Sequence, residues 1–302
     1  AVVMAILRLL RAARIGRLGA RLPGRLGAAL AMLEASRHTL LKPRPLRTAS
    51  PAGAPEGAPA GPKVALLRGC VMEGLFAATN RATERVLARN GYVLVEAPGQ
   101  GCCGALWVHN GYPDHARRNA RRLLAAFREV DYIAVNAAGC GSTMKEYGLL
   151  FRNAPDHAEA ERFAQRVRDV HELLADAELP PPARDDSLCI TYHDACHLVH
   201  GQGIREQPRA LLKRLPSVKL VEMDGADMCC GSAGIYNLLQ PKLARDALQR
   251  KVHAIQQTGA TIVASANPGC TLWIRQGLQE AGAPIEVLHP MEILAKAYDA
   301  MP

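Results

Sequence analysis

The sequence predicts an α/β protein of two tandem, repeated modules, each with a largely parallel sheet and helices on its faces. Short apolar segments typical of strands alternate with helical segments from residue 63 onward. The same series of segments and motifs returns about 127 residues later as an internal repeat. A chain of 302 residues is also long enough for two ordinary domains, which run to roughly 100–200 residues each.

The composition is that of a folded globular protein without a surface for nucleic acid. Apolar residues make up 49% of the chain and charged residues 22%, and the 4% of aromatic residues leaves few rings on which bases could stack. The net charge of +9 is confined to residues 1–47, which hold ten basic side chains and one acidic side chain. Because the rest of the chain is neutral, we expect no nucleic-acid partner.

Residues 1–42 predict a basic amphipathic connector helix. Arginines recur every three or four residues from Arg8 to Arg25, and Leu7 and Leu10 lie on the opposite face. The basic face either docks on an anionic membrane surface or a partner protein, or is simply solvated. Residues 43–62, rich in proline, alanine and glycine, predict a disordered linker.

The cysteines indicate a protein of the reducing cytoplasm. Nine cysteines in a chain of this length, several of them beside glycines, are typical of ligands rather than disulfides. No run of about 18 uncharged apolar residues exists, so no membrane-spanning helix is predicted. If the basic face docks on lipid rather than being solvated, residues 1–47 would attach the protein peripherally to the inner face of the membrane. The chain starts at Ala1 rather than at Met, so we expect the natural chain to begin earlier.

The first module, residues 63–180, is predicted to contain the strands "KVALLRGC", "YVLVEAP" and "YIAVNAAGC". Between them lie a helix that ends near "RVLARNGY" and the helix "HARRNARRLLAAF". The second module, residues 181–302, repeats this order with the strands "LCITYHDAC", "VKLVEM" and "TIVASANPGC". Its predicted helices are "PRALLKRL", "KLARDALQRKVHAI" and "LWIRQGL".

Four cysteines of each module stand in register, at offsets of 126 to 130 residues. The pairs are Cys70 with Cys196, Cys102 with Cys229, Cys103 with Cys230, and Cys140 with Cys270. All of them follow predicted strands, and the carboxyl ends of parallel strands converge where open α/β sheets bind their ligands. We therefore expect each module to gather four thiols in one loop cluster. The ninth cysteine, Cys189, has no counterpart and is predicted to be buried in a strand.

The glycines beside one cysteine pair follow a dinucleotide-binding pattern, GxGxxG, in "PGQGCCGA". The second copy, "GADMCCG", lacks the middle glycine and keeps the cysteine pair. The shared feature is therefore Cys-Cys-Gly, which indicates a thiol site rather than a nucleotide site. The absence of GxSxG, HExxH and P-loop patterns from the sequence gives an independent hydrolase or phosphoryl-transfer activity no basis.

Four thiolates suit a soft metal centre, either tetrahedral zinc or an iron–sulfur cluster. Adjacent cysteines tend to diverge around a single ion, whereas a cluster several ångströms across can accept both, which favours iron–sulfur. Gly104 and Gly231 would let the backbone bend closely around a cluster and donate N–H groups to its sulfides. We expect at most one [4Fe–4S] cluster per module, and zinc in one module stays open.

Several residues near the thiols are further candidates. His193 and His197 flank Cys196, and either imidazole would complete a ligand set or donate to a cluster, or else cap and pack at a strand end. Asp194 is expected to cap the following turn, and Trp107 to lie in the core. Three other residues are expected either to face a substrate or partner or, as the favoured interpretation, to have surface and helix-cap roles: His109, Lys145 and Glu146.

Residues 63–302 resemble the tandem cysteine-rich CCG domains of the heterodisulfide reductase family. The motifs that carry the resemblance are "GCCGA", "NAAGCGSTMKEYG", "YHDACHL", "MCCGSAGIY" and "ANPGC". Within that family they are most similar to the iron–sulfur subunits of bacterial glycolate oxidase. The resemblance implies a subunit that passes electrons from flavin-containing partner subunits toward a membrane acceptor. The 2-hydroxy acid would then be oxidised on the flavin, and this chain would hold no catalytic residue.

Two departures from the family pattern limit what the resemblance implies. The pattern ends each copy in CxxC, but Ala137 and Asn267 stand where the fifth cysteines would be. The ferredoxin motifs of the glycolate oxidase subunit are also absent, so a ferredoxin-like domain would precede residues 1–47 or belong to another protein. Two alternatives stay open: reduction of a disulfide at a cluster, as in heterodisulfide reductase, and a zinc-binding structural scaffold.

Overall fold

The computed structural model describes residues 61–175 and 188–299. The predicted basic helix at 1–42, nearly all of the predicted linker at 43–62 and the predicted module boundary near residue 180 lie outside these ranges. Within the described ranges, no helix has the length and apolar character needed to cross a bilayer.

The first repeat alternates strands with helices from its first residues. Its strands are β1 (Lys63–Leu66), β2 (Val93–Leu94), β3 (Tyr132–Val135) and β4 (Val167–Asp169). Its helices are α1 (Cys70–Leu75), α2 (Ala77–Arg89), α3 (Ala105–His109), α4 (Pro113–Ala126), α5 (Ala138–Lys145), α6 (Tyr147–Leu150), α7 (His157–Ala164) and α8 (Val170–Leu173). The strands pair in the order β2-β1-β3-β4, and every pairing is parallel.

The second repeat has the same architecture. Its strands are β5 (Leu188–His193), β6 (Val218–Val221), β7 (Ile262–Ser265) and β8 (Glu286–Leu288). Its helices are α9 (Cys196–Gln202), α10 (Glu206–Lys213), α11 (Tyr236–Leu239), α12 (Pro241–Gln257), α13 (Pro268–Glu280) and α14 (Pro290–Asp299). The sheet order is β6-β5-β7-β8, again all parallel, so the predicted α/β class with two repeated parallel sheets is confirmed.

The fourth strand of each sheet and the helix after it were not predicted. β4 and β8 have three residues each, which is too short to show a strand period. A signal did exist in the caps that follow them. The Asp169 carboxylate accepts from the His171 N–H, and Glu172 accepts from the Asp169 N–H. His289 and Glu292 repeat this arrangement at the start of α14, a D/H-x-x-E capping box in both copies.

The two sheets share one apolar core. α2 of the first repeat packs against α14 of the second, and one buried cluster contains β1 and β5 side chains such as Val64, Leu66, Ile190 and Tyr192. Each repeat has a further core of its own between its sheet and its remaining helices. The described parts of the two repeats are therefore packed directly on each other.

Candidate metal centre

The cysteines of both repeats lie where strands end and helices begin. In the first repeat Cys70 opens α1 just after β1, Cys102 and Cys103 precede α3, and Cys140 lies in the first turn of α5. The second repeat places Cys196 at the start of α9 and Cys270 near the start of α13. The expectation that these cysteines follow the carboxyl ends of parallel strands is confirmed.

The first thiol set, comprising Cys70, Cys102, Cys103 and Cys140, is tightly packed. The Cys70 and Cys102 sulfurs are 3.4 Å apart, and the Cys103 and Cys140 sulfurs are 3.0 Å apart. Each cysteine is free rather than disulfide-bonded. Sulfurs at these separations must share protons or a cation, because four adjacent thiolates would repel one another.

The second thiol set, comprising Cys196, Cys229, Cys230 and Cys270, is similarly packed. The Sγ atoms of Cys230 and Cys270 and a ring nitrogen of His193 lie within 4.8 Å of one another, and all three side chains are buried. Cys229 contacts both Cys196 and Cys230 closely enough to accept hydrogen bonds from them. In both repeats the four sulfurs of the set therefore lie close together.

The thiols divide into acceptors and donors. Hydrogen bonds from Cys103 and then Cys70 lower the pKa of Cys102 to about 3, and those from Cys196 and then Cys230 lower the pKa of Cys229 to about 2. The same contacts raise the pKa values of the donating thiols. The first cysteine of each adjacent pair thus has a lower pKa than its partner in the pair, and a hydrogen bond to Cys230 lowers the pKa of Cys270 in the same way.

Glycine is required next to each cysteine pair. Gly104 and Gly231 have φ of 83° and 91°, in the left-handed region, and their N–H groups lie 3.4 and 3.3 Å from the sulfurs of Cys102 and Cys229. A Cβ on Gly231 would come within 2.4 Å of the Ala244 carbonyl oxygen. The glycines therefore let the thiol loops pack closely against α4 and α12 while their N–H groups face the sulfurs.

Both thiol sets face one cavity of about 290 Å³ between the repeats. All eight cysteines line it, and the rest of the wall is mainly apolar, with Met72, Leu106, Ile235 and Leu272 among the lining residues. The sequence did not indicate this shared cavity, because it forms only when the two sheets pack with their carboxyl edges together. Its apolar wall lowers the local dielectric around the sulfurs.

The structure places the two candidate histidines differently. His193 is 1% exposed, and neither of its ring nitrogens has a hydrogen-bond partner outside the second thiol set. His197 lines the cavity, with Nδ1 3.6 Å from the Cys196 sulfur and its ring 5.0 Å from that of His109. His109 is therefore a cavity residue, whereas His193 lies beneath the second thiol set.

The two positions of the missing fifth cysteines also differ. Ala137 is buried and apolar, but Asn267 contacts a thiol of the second set and the backbone beside a thiol of the first. Its Nδ2 donates to the Cys270 sulfur at 3.4 Å, and its Oδ1 accepts from the N–H of Gly139, next to Cys140, at 3.2 Å. Asn267 therefore provides a hydrogen bond to a thiol where the family pattern has a further thiol.

Four expectations about neighbouring residues are corrected or refined. Asp194 caps no helix, because its two carboxylate oxygens are held by Arg209 at 2.7 and 2.8 Å. Trp107 is 41% exposed rather than in the core, because α3 is a short surface helix and the indole stacks on His115. Cys189 is half-buried near the start of β5, so its predicted burial is only partial. Neither Lys145, paired with Glu172, nor Glu146 lines the cavity.

One polar residue of the site, Lys251 of α12, was missed. Its side chain is fully buried, and Nζ donates to the carbonyls of Gly225 and Ala226 in the loop before Cys229. The internal repeat carried a signal for it, because the matching position in α4 is Leu123. A lysine in place of a core leucine indicates a buried role.

The donor set fits a soft metal centre. Four convergent thiols per repeat match the ligand number of zinc or of an iron–sulfur cluster. The adjacent cysteines of the first set face different partners, since Cys102 lies against Cys70 and Cys103 lies against Cys140. The residues present therefore fit a multi-atom cluster, which the four thiols of a set would hold together.

The fold and the site define a two-repeat α/β protein with a cysteine-lined centre between the repeats. The sequence matches the family described as "Cysteine-rich domain" (CCG) twice, over residues 64–145 and 190–275. The chain belongs to this CCG family, and the two matches correspond to the two sheets.

Several named relatives can be aligned with more than three quarters of this chain. A "Probable glycolate oxidase iron-sulfur subunit" of Bacillus subtilis is 34% identical over 80% of this chain and 56% of its own length. "Lactate utilization protein A" of Geobacillus kaustophilus is 27% identical over 77% of this chain and 98% of its own. A fumarate reductase (CoM/CoB) subunit of Methanothermobacter marburgensis is 29% identical over 79% of this chain and 47% of its own length. The chain thus spans about half the length of the first and third relatives.

Proposed function

We propose that this chain is an iron–sulfur electron-transfer subunit of a flavin-dependent glycolate, or related 2-hydroxy-acid, oxidase or dehydrogenase. The observation that carries the proposal is the pair of free four-thiol sets facing one apolar cavity. The names of the relatives support it, since one is an iron–sulfur subunit and others are lactate utilization proteins. The role is that of a non-flavin subunit within an oxidoreductase complex.

Each set would hold at most one cluster, of [4Fe–4S] type, through its four cysteines. Such a cluster supplies one-electron transfer when bound. The chain's own residues do the rest: the thiolates hold the iron, the Gly104 and Gly231 N–H groups stabilise negative charge at sulfur, and the apolar wall excludes water. Because both sets line one cavity, electrons would have only a short distance to cross between them.

The partners in this proposal are flavin-containing oxidase subunits. The sequence supplies no flavin or nicotinamide fingerprint, so the two-electron oxidation of the 2-hydroxy acid takes place on a partner. A ferredoxin-like domain or protein would carry further clusters. Residues 1–47 would attach the complex to the inner, cytoplasmic face of the membrane, where the electron acceptor lies.

The test is anaerobic purification followed by iron, zinc and acid-labile sulfide analysis, with EPR of the oxidised and reduced protein. Near-stoichiometric iron and sulfide with a cluster signal are expected. Zinc without sulfide would overturn the electron-transfer proposal and support a zinc scaffold. The buried group of His193, Cys230 and Cys270 makes the second repeat the place where zinc would bind.

The shared cavity favours a second candidate function, reduction of a disulfide. A disulfide in this cavity would contact one thiol set on each side, and two electrons with two protons would convert it to two thiols. Ala137 and Asn267, in place of the fifth cysteines, count against it. Turnover of a disulfide by the reduced protein would support this candidate, and its absence in a protein with intact clusters would leave simple electron transfer.

A further inference from the structure

We propose, on the basis of the iron–sulfur function above, that the second repeat holds the centre of higher reduction potential, because the polar side chains of His193, Asn267 and Lys251 lie beside its thiol set where the first repeat has apolar side chains. The two repeats have the same fold and the same four cysteines. What differs is the side chains around the sulfurs and the solvent exposure of the thiols, so a difference in potential between the centres must come from these two sources.

The repeat register identifies three positions at which the second repeat has a polar side chain and the first an apolar one. Counting from matched cysteines, His193 corresponds to Leu67 and Asn267 to Ala137. Matching Ala244 to Ala116, which pack on the equivalent glycines, places Lys251 opposite Leu123. With the polar residue first, the three pairs are His193 and Leu67, Asn267 and Ala137, and Lys251 and Leu123.

The imidazole of His193 is directed at the second thiol set. The side chain is 1% exposed, and a ring nitrogen lies within 4.8 Å of the sulfurs of Cys230 and Cys270. Both nitrogens are otherwise without hydrogen-bond partners, which is costly for a buried polar group unless a ligand satisfies it. Leu67 at the matching position packs into the apolar core of the first repeat.

Asn267 and Lys251 add to this asymmetry. The Asn267 amide donates to the Cys270 sulfur, whereas Ala137 has no side-chain donor. The Lys251 ammonium is buried and holds the loop that carries Cys229 by donating to Gly225 and Ala226. Its place in the first repeat is taken by Leu123, a fully buried apolar residue.

Hydrogen bonds to sulfur and nearby positive charge stabilise the reduced form of a cluster, since reduction adds negative charge. These groups therefore raise the potential of the second centre. Solvent acts in the opposite sense, because Cys70 of the first set is exposed and water also stabilises added charge. The second centre has two side-chain donors and an ammonium in a buried site, where electrostatic interactions are stronger. We expect their effect on the reduction potential to exceed that of the one exposed thiol in the first set.

The consequence is a direction of electron flow. An electron delivered to the first repeat would move to the second, leaving the first centre oxidised and the second reduced. The electron donor would then dock nearest the exposed Cys70. The acceptor would draw from the side of the second repeat.

The experiment is a redox titration of the anaerobically prepared full chain, followed by EPR. Cys103→Ala and Cys230→Ala each leave one intact thiol set, so each centre is titrated alone. We expect the centre left in Cys103→Ala, which is the second, to titrate at the higher potential. An equal or lower potential would overturn the inference while leaving the iron–sulfur function intact.

Three variants in the Cys103→Ala background test the assigned residues. His193→Leu, Asn267→Ala and Lys251→Met each introduce an apolar side chain like that in the first repeat. Loss of one charge-assisted hydrogen bond should change the reduced-to-oxidised ratio at fixed potential about tenfold, a shift of about 59 mV downward for one electron. The matched controls, His200→Leu and Arg250→Met, alter exposed side chains and should leave the potential unchanged.

The outcomes separate this inference from the function on which it rests. If iron and sulfide are absent from the whole chain, both are overturned. If zinc occupies only the second repeat, or if none of the three variants lowers the potential while clusters are retained, only this inference is overturned. If one variant fails to fold, the other two still test the inference, because the three residues lie on different elements: β5, the start of α13, and α12.

Discussion

The guanidinium of Arg209 forms a two-point ion pair with the carboxylate of Asp194, two residues before Cys196. The distances are 2.7 and 2.8 Å, and Asp194 is fully buried. The Arg209 guanidinium also lies 5.2 Å from the centre of the Tyr192 ring and contacts Glu222. This pair anchors the turn between β5 and α9, from which the second thiol set begins.

Arg209→Met should therefore destabilise the protein strongly. It leaves the Asp194 carboxylate buried without a partner, which typically costs about 3–5 kcal/mol. The measurement is the free energy of unfolding from urea titration. Arg205→Met removes the neighbouring but exposed pair with Asp227 and should change stability little. Equal effects from the two variants would contradict a special role for the Asp194 pair.

Replacing one cysteine of either adjacent pair should remove the centre of that repeat and leave the other centre in place. Cys103→Ala takes a buried ligand from the first set and Cys230→Ala takes one from the second. Each variant should retain about half of the wild-type iron and sulfide, because the sets draw on different repeats. Cys189→Ala, which belongs to neither set, is the matched control and should retain all of the iron. Full metal content in either test variant would refute the ligand assignment.

Gly231→Ala should destabilise the protein more than Gly259→Ala. Both glycines have positive φ, so both variants incur the left-handed penalty of about 1–2 kcal/mol. Only the Gly231 Cβ would also clash, at 2.4 Å from the Ala244 carbonyl oxygen, whereas Gly259 has open space. The clash should add about 1–3 kcal/mol in thermal or urea unfolding. Comparable losses would show that the close approach is relieved by a small shift of α12.

Acid should weaken the fold through His289 at the start of α14. Its Nδ1 accepts from the Met291 N–H and its Nε2 lies 3.0 Å from the Asn136 carbonyl, so the neutral ring fits the site. Burial, and then His171, lower its pKa from 6.5 to about 3. The unfolded chain therefore binds a proton that the folded chain does not, and stability is lost as pH falls from about 6.5 toward 3.

The check is urea unfolding at pH 7.5 and pH 5 in wild type and His289→Ser. Serine can still cap α14 but does not titrate. Wild type should lose about 2 kcal/mol more than the variant between these pH values. The difference between the proteins isolates His289 from Glu84, whose pKa is raised to about 7 by burial and whose effect has the opposite sign. A parallel pH dependence in both proteins would rule out His289 as the source.

Local sequence pattern was sufficient for most of the fold. Apolar segments such as those around Val64 and Ile190 are short, regularly spaced and followed by helical segments, so parallel strands could be predicted without the structure. The fourth strands could not, because three residues carry no period. Trp107 was misplaced because an apolar side chain on a short helix can be exposed, and only the packing of α3 decides which face is covered.

The sequence by itself determined the repeat, the register of the eight cysteines and their position at the carboxyl ends of strands, because these depend on spacing along the chain. Tertiary structure alone decided that the two sheets share a core and turn both thiol sets into one cavity. It also decided which side chains reach the sulfurs. His193, Asn267 and Lys251 lie far apart in sequence, and only the packing of β5, α12 and α13 brings them to the same four thiols.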